Sequence, residues 1–246
     1  MVKTKLNGLW DLYLPEHRAI DNEWSRPDGW EKPRLISMSK HIGKGDVVYY
    51  VGAELGEMSA LCASWGAEVV NFEPNFSSWA TIKAIFEANK LKPLANYAGF
   101  CSNVHQPIPP NADGSLYKGF GYTIEDDGYP IYAQTEMRKE HFFSELYQEA
   151  DGLPQYRIDN LLEDSDLKPP TVITFDCEGS EWEAMKGAEL TIKTFKPKIW
   201  ASISPEFMFH QWGQYSRDFR NWLIDFGYKE TILDYQHELH TYYGPV

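Results

Sequence analysis

Apolar and polar positions change period several times along the 246 residues. Residues 1–34 hold no period: Pro15, Pro27, Pro33, Gly8 and Gly29 interrupt them, and Trp10, Trp24 and Trp30 are scattered among them. This predicts an irregular N-terminal arm wrapping a domain over residues 35–246. Arg34–Ile42 then reads as a short helix, with Leu35, Ile36 and Ile42 apolar and Gly43 and Gly45 as breakers. Val47–Val51 is a continuous β-branched and aromatic run, the pattern of a strand buried on both faces. Met58, Leu61, Cys62 and Trp65 recur at helical spacing until Gly66. Val69–Phe72 predicts a second strand that ends at Glu73, before Pro74. Ile82, Ile85 and Phe86 mark a helix face, and Leu94–Phe100 a third strand. Alternating strands and helices predict right-handed crossovers and a parallel sheet.

Residues 101–157 break that rhythm with Pro107, Pro109, Pro110, Pro130 and Pro154 and five glycines. A stretch of this length is expected to be functional. We expect an insert that covers an acceptor pocket, with a strand or hairpin near Phe120–Ile124 and a helix near Met137–Tyr147. Beyond it, Val172–Phe175 repeats the buried-strand pattern and ends in Asp176. Glu181–Phe195 predicts one helix, Ile199–Ile203 a strand, and Arg217–Phe226 a helix closed by Gly227. Lys229–Leu233 and Leu239–Tyr243 are the last strand candidates. The fold class is α/β.

Composition narrows the function. With 23 Lys+Arg against 36 Asp+Glu, the net charge is −13. That argues against a nucleic-acid partner, whose phosphates call for Lys and Arg. Hydrophobic residues at 43% and charged residues at 24% fit a globular protein. No apolar run reaches the length of a membrane span, and no apolar h-region follows the first lysines. Cys62, Cys101 and Cys177 are too widely spaced for a metal motif, so free thiols, no metal site and a cytoplasmic location are expected.

Two constellations carry chemistry. In the first, Val51-Gly-Ala-Glu-Leu-Gly56 joins a buried strand to a helix, and Glu73 closes the next strand. Glycines here let the backbone approach a ligand, and an acid in the position of Glu73 can accept both hydroxyls of a ribose. The spacing is neither GxGxxG nor a P-loop, which favours a phosphate-free adenosine ligand such as S-adenosylmethionine. In the second, Asp176-Cys-Glu-Gly-Ser-Glu181 follows another buried strand, on the edge of the sheet where ligands bind. Acids bunched there have their pKa raised toward the range of a general base. His210, on the segment after Ile203, is a further candidate base because imidazole titrates near neutrality.

These segments resemble the FkbM-type methyltransferases. The resemblance rests on Asp46–Glu57, Val70-Asn-Phe-Glu-Pro-Asn75, Arg157–Leu162, Thr174–Glu181 and Met185-Lys-Gly-Ala188, spread over about residues 40–205. It implies a Rossmann-like class I methyltransferase fold, with a mainly parallel seven-stranded sheet flanked by helices. The insert would lie between the third and fourth strands, and the last strand would be antiparallel. It further implies S-adenosylmethionine as cofactor, held by Gly52, Ala53, Glu54, Gly56, Glu73, Pro74 and Asn75. The reaction implied is O-methylation of a sugar, glycan or small metabolite. Asp176 or Glu178 would act as base or acceptor-orienting acid, with His210 in reserve. Where the family usually shows Asp-Ile-Gly-Ala-Asn, this chain has Tyr50 for the Asp and Glu54 for the Asn. That departure keeps a second reading open: a Rossmann-like binding module without methyl transfer.

Overall fold

The computed structural model describes residues 1–20, 24, 26, 28–107, 122–124, 130–132, 154–235 and 238–246. The arm is not irregular throughout, contrary to the sequence reading. Strands β1 (Val2–Leu6) and β2 (Trp10–Leu14) form an antiparallel hairpin. It turns through Asn7 and Gly8, both in the left-handed region (φ 50° and 72°), followed by the four-residue helix α1 (Glu16–Ala19). Each strand is only five residues long and buries two side chains, Thr4 and Leu6 on one and Leu12 and Leu14 on the other. An alternation that short does not register as a period. Leu6, Leu12, Leu14 and Trp24 pack in one cluster with Leu35, Met38, Val48 and Tyr50, so the arm shares the core of the sheet. Helix α2 (Lys32–His41) starts before the predicted Arg34, since Pro33 is tolerated in a first turn.

The predicted alternation follows: β3 (Val47–Val51), α3 (Glu57–Ser64), β4 (Glu68–Glu73), α4 (Trp79–Ala88) and β5 (Ala95–Ala98). The third strand is shorter than Leu94–Phe100. After Gly99, the short strand β6 (Phe100–Cys101) leaves the main sheet. Within the insert, β7 (Tyr122–Ile124) and β8 (Pro130–Tyr132) pair antiparallel, the expected hairpin. Strand β9 (Gln155–Tyr156) pairs with β6 and ties the two ends of the insert together. The expected helix near Met137–Tyr147 lies outside the described residues, and so does most of the expected cover. The chain continues through α5 (Ile158–Asp164), β10 (Val172–Asp176), α6 (Glu181–Lys186), α7 (Glu189–Phe195) and β11 (Lys198–Ile203). It ends with α8 (Pro205–Trp212), α9 (Ser216–Asp225), β12 (Tyr228–Tyr235) and β13 (Leu239–Pro245). The single helix predicted over Glu181–Phe195 is therefore two. They part at Gly187, where a Cβ would lie 2.0 Å from the Ser102 carbonyl oxygen.

Seven strands make the main sheet in the order β12-β13-β11-β10-β3-β4-β5. Neighbours from β5 to β11 run parallel, and β13 is antiparallel to both β11 and β12. The chain thus winds outward from β3 through β4 to β5, then returns to place β10 on the other side of β3. Such a reversal opens a crevice at the carboxyl ends of β3 and β10.

One face of the sheet carries a buried polar network beside that crevice. Registered neighbours share a face, which aligns Tyr50, Thr174, Trp200 and Tyr242 in one row and Asp176, Ser202 and His240 in the next. Arg34 of α2 is fully buried over these rows. Its Nη1 donates to Glu31 Oε2 at 2.5 Å and to Asp176 Oδ2 at 2.7 Å, and its Nη2 donates to Thr174 Oγ1 at 2.8 Å. The Glu238 carboxylate accepts from the Ser202 and Ser204 hydroxyls. His240 Nε2 lies 3.8 Å from both Glu31 Oε2 and Glu238 Oε2.

Two predictions follow from this packing. A Cβ at Gly52 (φ 84°) would lie 1.7 Å from the Asp176 carbonyl oxygen, so β3 and β10 would have to separate. Gly52→Ala should cost at least about 2 kcal/mol in urea unfolding; a smaller loss would show that the crevice yields easily. Arg34→Met strands the buried Glu31 carboxylate and the partly buried Asp176 and should cost about 3–5 kcal/mol. A neutral result would mean that water already reaches the cluster.

Candidate active site

A cavity of about 270 Å³ opens at the carboxyl ends of β3, β4 and β10. Its first wall is the turn after β3. The amides of Gly52 and Ala53 both donate to the Phe72 carbonyl at 3.0 Å, which fastens the turn to β4. Glu54 follows in the left-handed region (φ 50°) and its amide donates to Glu73 Oε2 at 2.7 Å. The amide of Asn75 donates to the other oxygen, Oε1, also at 2.7 Å. Glu73 is 1% exposed, and burial pushes its carboxyl up to about 8 while the two amides pull it back. Each carboxylate oxygen keeps a second lone pair for a ligand hydroxyl.

The second wall is the turn after β10. Asp176 is gripped by Arg34; burial pushes its carboxyl above the usual range and the guanidinium opposes that shift. Glu181 is wholly buried, and its Oε1 accepts the amides of Cys177 at 3.2 Å and Gly179 at 2.9 Å. Burial also holds Glu181 up at about 8. This clasp folds the turn so that Glu178 (φ 49°) meets the cavity. The Glu178 carboxyl is pushed up to about 7, first by burial and then by the charges of Glu238, Glu54 and Glu31.

The structure brings together most of the residues predicted from sequence. Gly52, Ala53, Glu54, Glu73, Pro74, Asp176 and Glu178 line the cavity. Three others do not reach it. Gly56 is turned against Ile82, whose nearest atoms would be 3.1 Å from a Cβ. The Asn75 side chain caps the following turn instead, its Oδ1 accepting from the Ser77 amide at 3.1 Å and hydroxyl at 2.7 Å. His210 is exposed on α8, its ring edge-on to Phe209.

Other lining residues were missed. Arg18, Trp24, Trp30 and Glu31 come from the N-terminal segment, and Glu238 from the approach to β13. The tryptophan-rich arm was the one available hint; nothing near Glu238 marks it. Arg18 Nε donates to Glu57 Oε1 at 2.6 Å, joining α1 to α3 across the mouth. Among the described residues lining the cavity, seven are acids and Arg18 is the one permanent cation. Such a lining attracts a cationic ligand and repels an anionic one. Among the described residues, no group of three or more His, Cys, Asp or Glu could hold a metal ion, and no helix is long and apolar enough to cross a membrane.

Comparison with known proteins bears on this arrangement. Residues 46–230 match the methyltransferase FkbM domain. No curated protein matches the sequence. Among solved structures, methyltransferase FkbM from Methylobacillus flagellatus superimposes with a TM-score of 0.48 at 13% identity, over 87% of this chain. This chain spans 58% of that protein's length. Precorrin-6y C5,15-methyltransferase from Geobacter metallireducens gives a TM-score of 0.49 at 9% identity, over 94% of this chain and 92% of its own. The domain match covers most of the chain, and the mainly parallel seven-stranded sheet and the antiparallel β13 are those the resemblance implied. The chain belongs to the FkbM methyltransferase domain family and has its Rossmann-like class I fold.

Proposed function

We propose that this chain transfers a methyl group from S-adenosylmethionine to a hydroxyl of a sugar, glycan or small metabolite. The observation that carries the reading is one cavity, at the β3/β10 crevice, lined by both Glu73 and Glu178. The residues present fit the cofactor. Glu73 offers acceptor capacity for a ribose diol, and the acidic lining suits the sulfonium and ammonium charges. When bound, S-adenosylmethionine supplies an electrophilic methyl group on a positively charged sulfur.

The chain's own groups have separate tasks. The Gly52–Glu54 turn and Glu73 would hold the nucleoside half, since both are already fixed by backbone hydrogen bonds. Glu178 is the group suited to take the acceptor's proton: it lines the cavity, and its carboxyl titrates near neutrality. Asp176 orients rather than accepts, because Arg34 already claims its Oδ2. Positioning the nucleophile supplies the rest of the rate. The acidic lining favours neutral acceptors over phosphorylated or carboxylated ones, and with the net charge of −13 it argues against nucleic acid.

The binding-module alternative draws support from Tyr50, buried in the strand beneath the site with its hydroxyl donating to Met58 Sδ at 3.2 Å. Turnover separates the two readings. A protein that binds S-adenosylmethionine, yet methylates nothing in a screen of hydroxylated metabolites and glycans, would be a module.

Two variants test the site. Glu73→Ala removes hydrogen bonds to the ribose worth about 1.5–3 kcal/mol each. The dissociation constant for S-adenosylmethionine, measured by calorimetry well below the melting point, should rise at least tenfold. An unchanged constant removes Glu73 from the site. For Glu178, a base works only when deprotonated, so the parent's rate should climb with pH through about 7 and then level off. Glu178→Gln should lower turnover by about 10²-fold and abolish that rise. A variant that keeps the parental rate and profile assigns the proton to another acceptor.

A further inference from the structure

Glu31 stands apart from the other acids of the cavity. It belongs to the N-terminal segment, outside the residues that match the family domain. It is 4% exposed and sits in the left-handed region (φ 44°), a backbone state that costs a non-glycine residue free energy and persists where the surroundings enforce it. Its Oε2 is occupied, accepting from Arg34 Nη1 and lying 3.8 Å from His240 Nε2. Its Oε1 accepts no hydrogen bond among the described residues, although Glu31 lines the cavity. That oxygen is left facing the cavity with its acceptor capacity unused by the protein, where a ligand donor can reach it.

The charge count points the same way. Glu31 and Asp176 share the single guanidinium of Arg34, which leaves the trio with one negative charge in a buried setting. A positive group that carries a hydrogen to donate would answer both the open oxygen and this charge. A sulfonium meets only the first condition, because its sulfur bears no hydrogen. A primary ammonium meets both. Position agrees as well. Glu31 is tied through Arg34 to Asp176 on β10, whereas Glu73 ends β4, two strands away across the sheet edge. That separation is about 10 Å. A ligand with its ribose at Glu73 runs along this edge toward Glu31.

Resting on the cofactor reading above, we propose that Glu31 Oε1 binds the α-ammonium of the amino-acid half of S-adenosylmethionine. The N-terminal segment is then part of the cofactor site, and Glu31 is a specificity residue that separates full-length cofactors from bare nucleosides.

Three ligands test this by calorimetry: S-adenosylmethionine, S-adenosylhomocysteine, and 5′-methylthioadenosine. The second lacks the sulfonium, and the third lacks the amino-acid half. Glu31→Gln should weaken the first two equally, by about tenfold or more, and leave 5′-methylthioadenosine within twofold of the parent. Equal loss for all three ligands would make Glu31 a structural support of Arg34 and overturn the proposal. Loss for S-adenosylmethionine alone would assign Glu31 to the sulfonium, and no loss would remove it from the cofactor; either overturns it. Glu31→Asp keeps the charge facing Arg34 but withdraws the carboxylate by one methylene. The same selective loss is expected there, which covers the case in which Glu31→Gln does not fold. A parent that binds 5′-methylthioadenosine as tightly as S-adenosylmethionine overturns the Glu31 assignment while the nucleoside site stands. A parent that binds none of the three overturns the cofactor reading, and this assignment with it.

Discussion

The buried guanidinium of Arg34 is the constraint on which the rest depends. An unpaired charge does not survive inside a protein, so Arg34 requires Glu31 and Asp176 to stay within hydrogen-bond reach. These three residues come from different parts of the chain: the arm, α2 and the end of β10. Holding them together fastens the N-terminal segment over the crevice and fixes the mouth of the cavity. Buried ion clusters add little net stability over well-packed apolar side chains of the same volume. Stability alone therefore does not account for the cluster, whereas a site that must present carboxylates at a chosen place does.

The fold was legible where burial leaves a plain mark. Val47–Val51 and Val172–Phe175 are buried on both faces, and they read as continuous β-branched and aromatic runs for that reason. The β1–β2 hairpin was not legible, because five-residue strands with two buried positions each resemble loop sequence. Helix boundaries failed where contact rather than periodicity decides, as at Gly187, whose close approach to Ser102 exists only in the folded chain.

The site divides along the same line. Glu73 and Glu178 were legible because Glu73 ends one buried strand and Glu178 lies in the turn two residues past another, and the end of a parallel strand is where ligands bind. Glu31, Arg18 and Glu238 reach the cavity through long-range packing, which no local spacing encodes. His210 is the opposite case: it does not line the cavity. Its segment does follow β11 at the correct edge, but α8 turns Met208 into the core. Two residues later the helix has rotated about 200°, which carries His210 outward. The direction of a side chain on a helix is set by which neighbour the core takes, and here the core takes methionine.

Taking Glu73 and Glu178 out of water at the cavity, and Glu181 out of water in the turn after β10, has a thermodynamic consequence for the whole chain. Glu73, Glu178 and Glu181 all titrate above the ordinary 4.5, at about 8, 7 and 8. Between those values the folded state binds protons that the unfolded state has released. The stability tied to these groups is complete below about pH 4.5 and is lost as pH rises through 7 to 8. At neutral pH the protein thus maintains these carboxylates against its own folding equilibrium. A cation entering the cavity reverses part of that cost, because it favours the ionised form of each acid that faces it. Ligand binding and folding are coupled through the same carboxyls, and the desolvation that weakens the empty site is part of what a bound cation offsets.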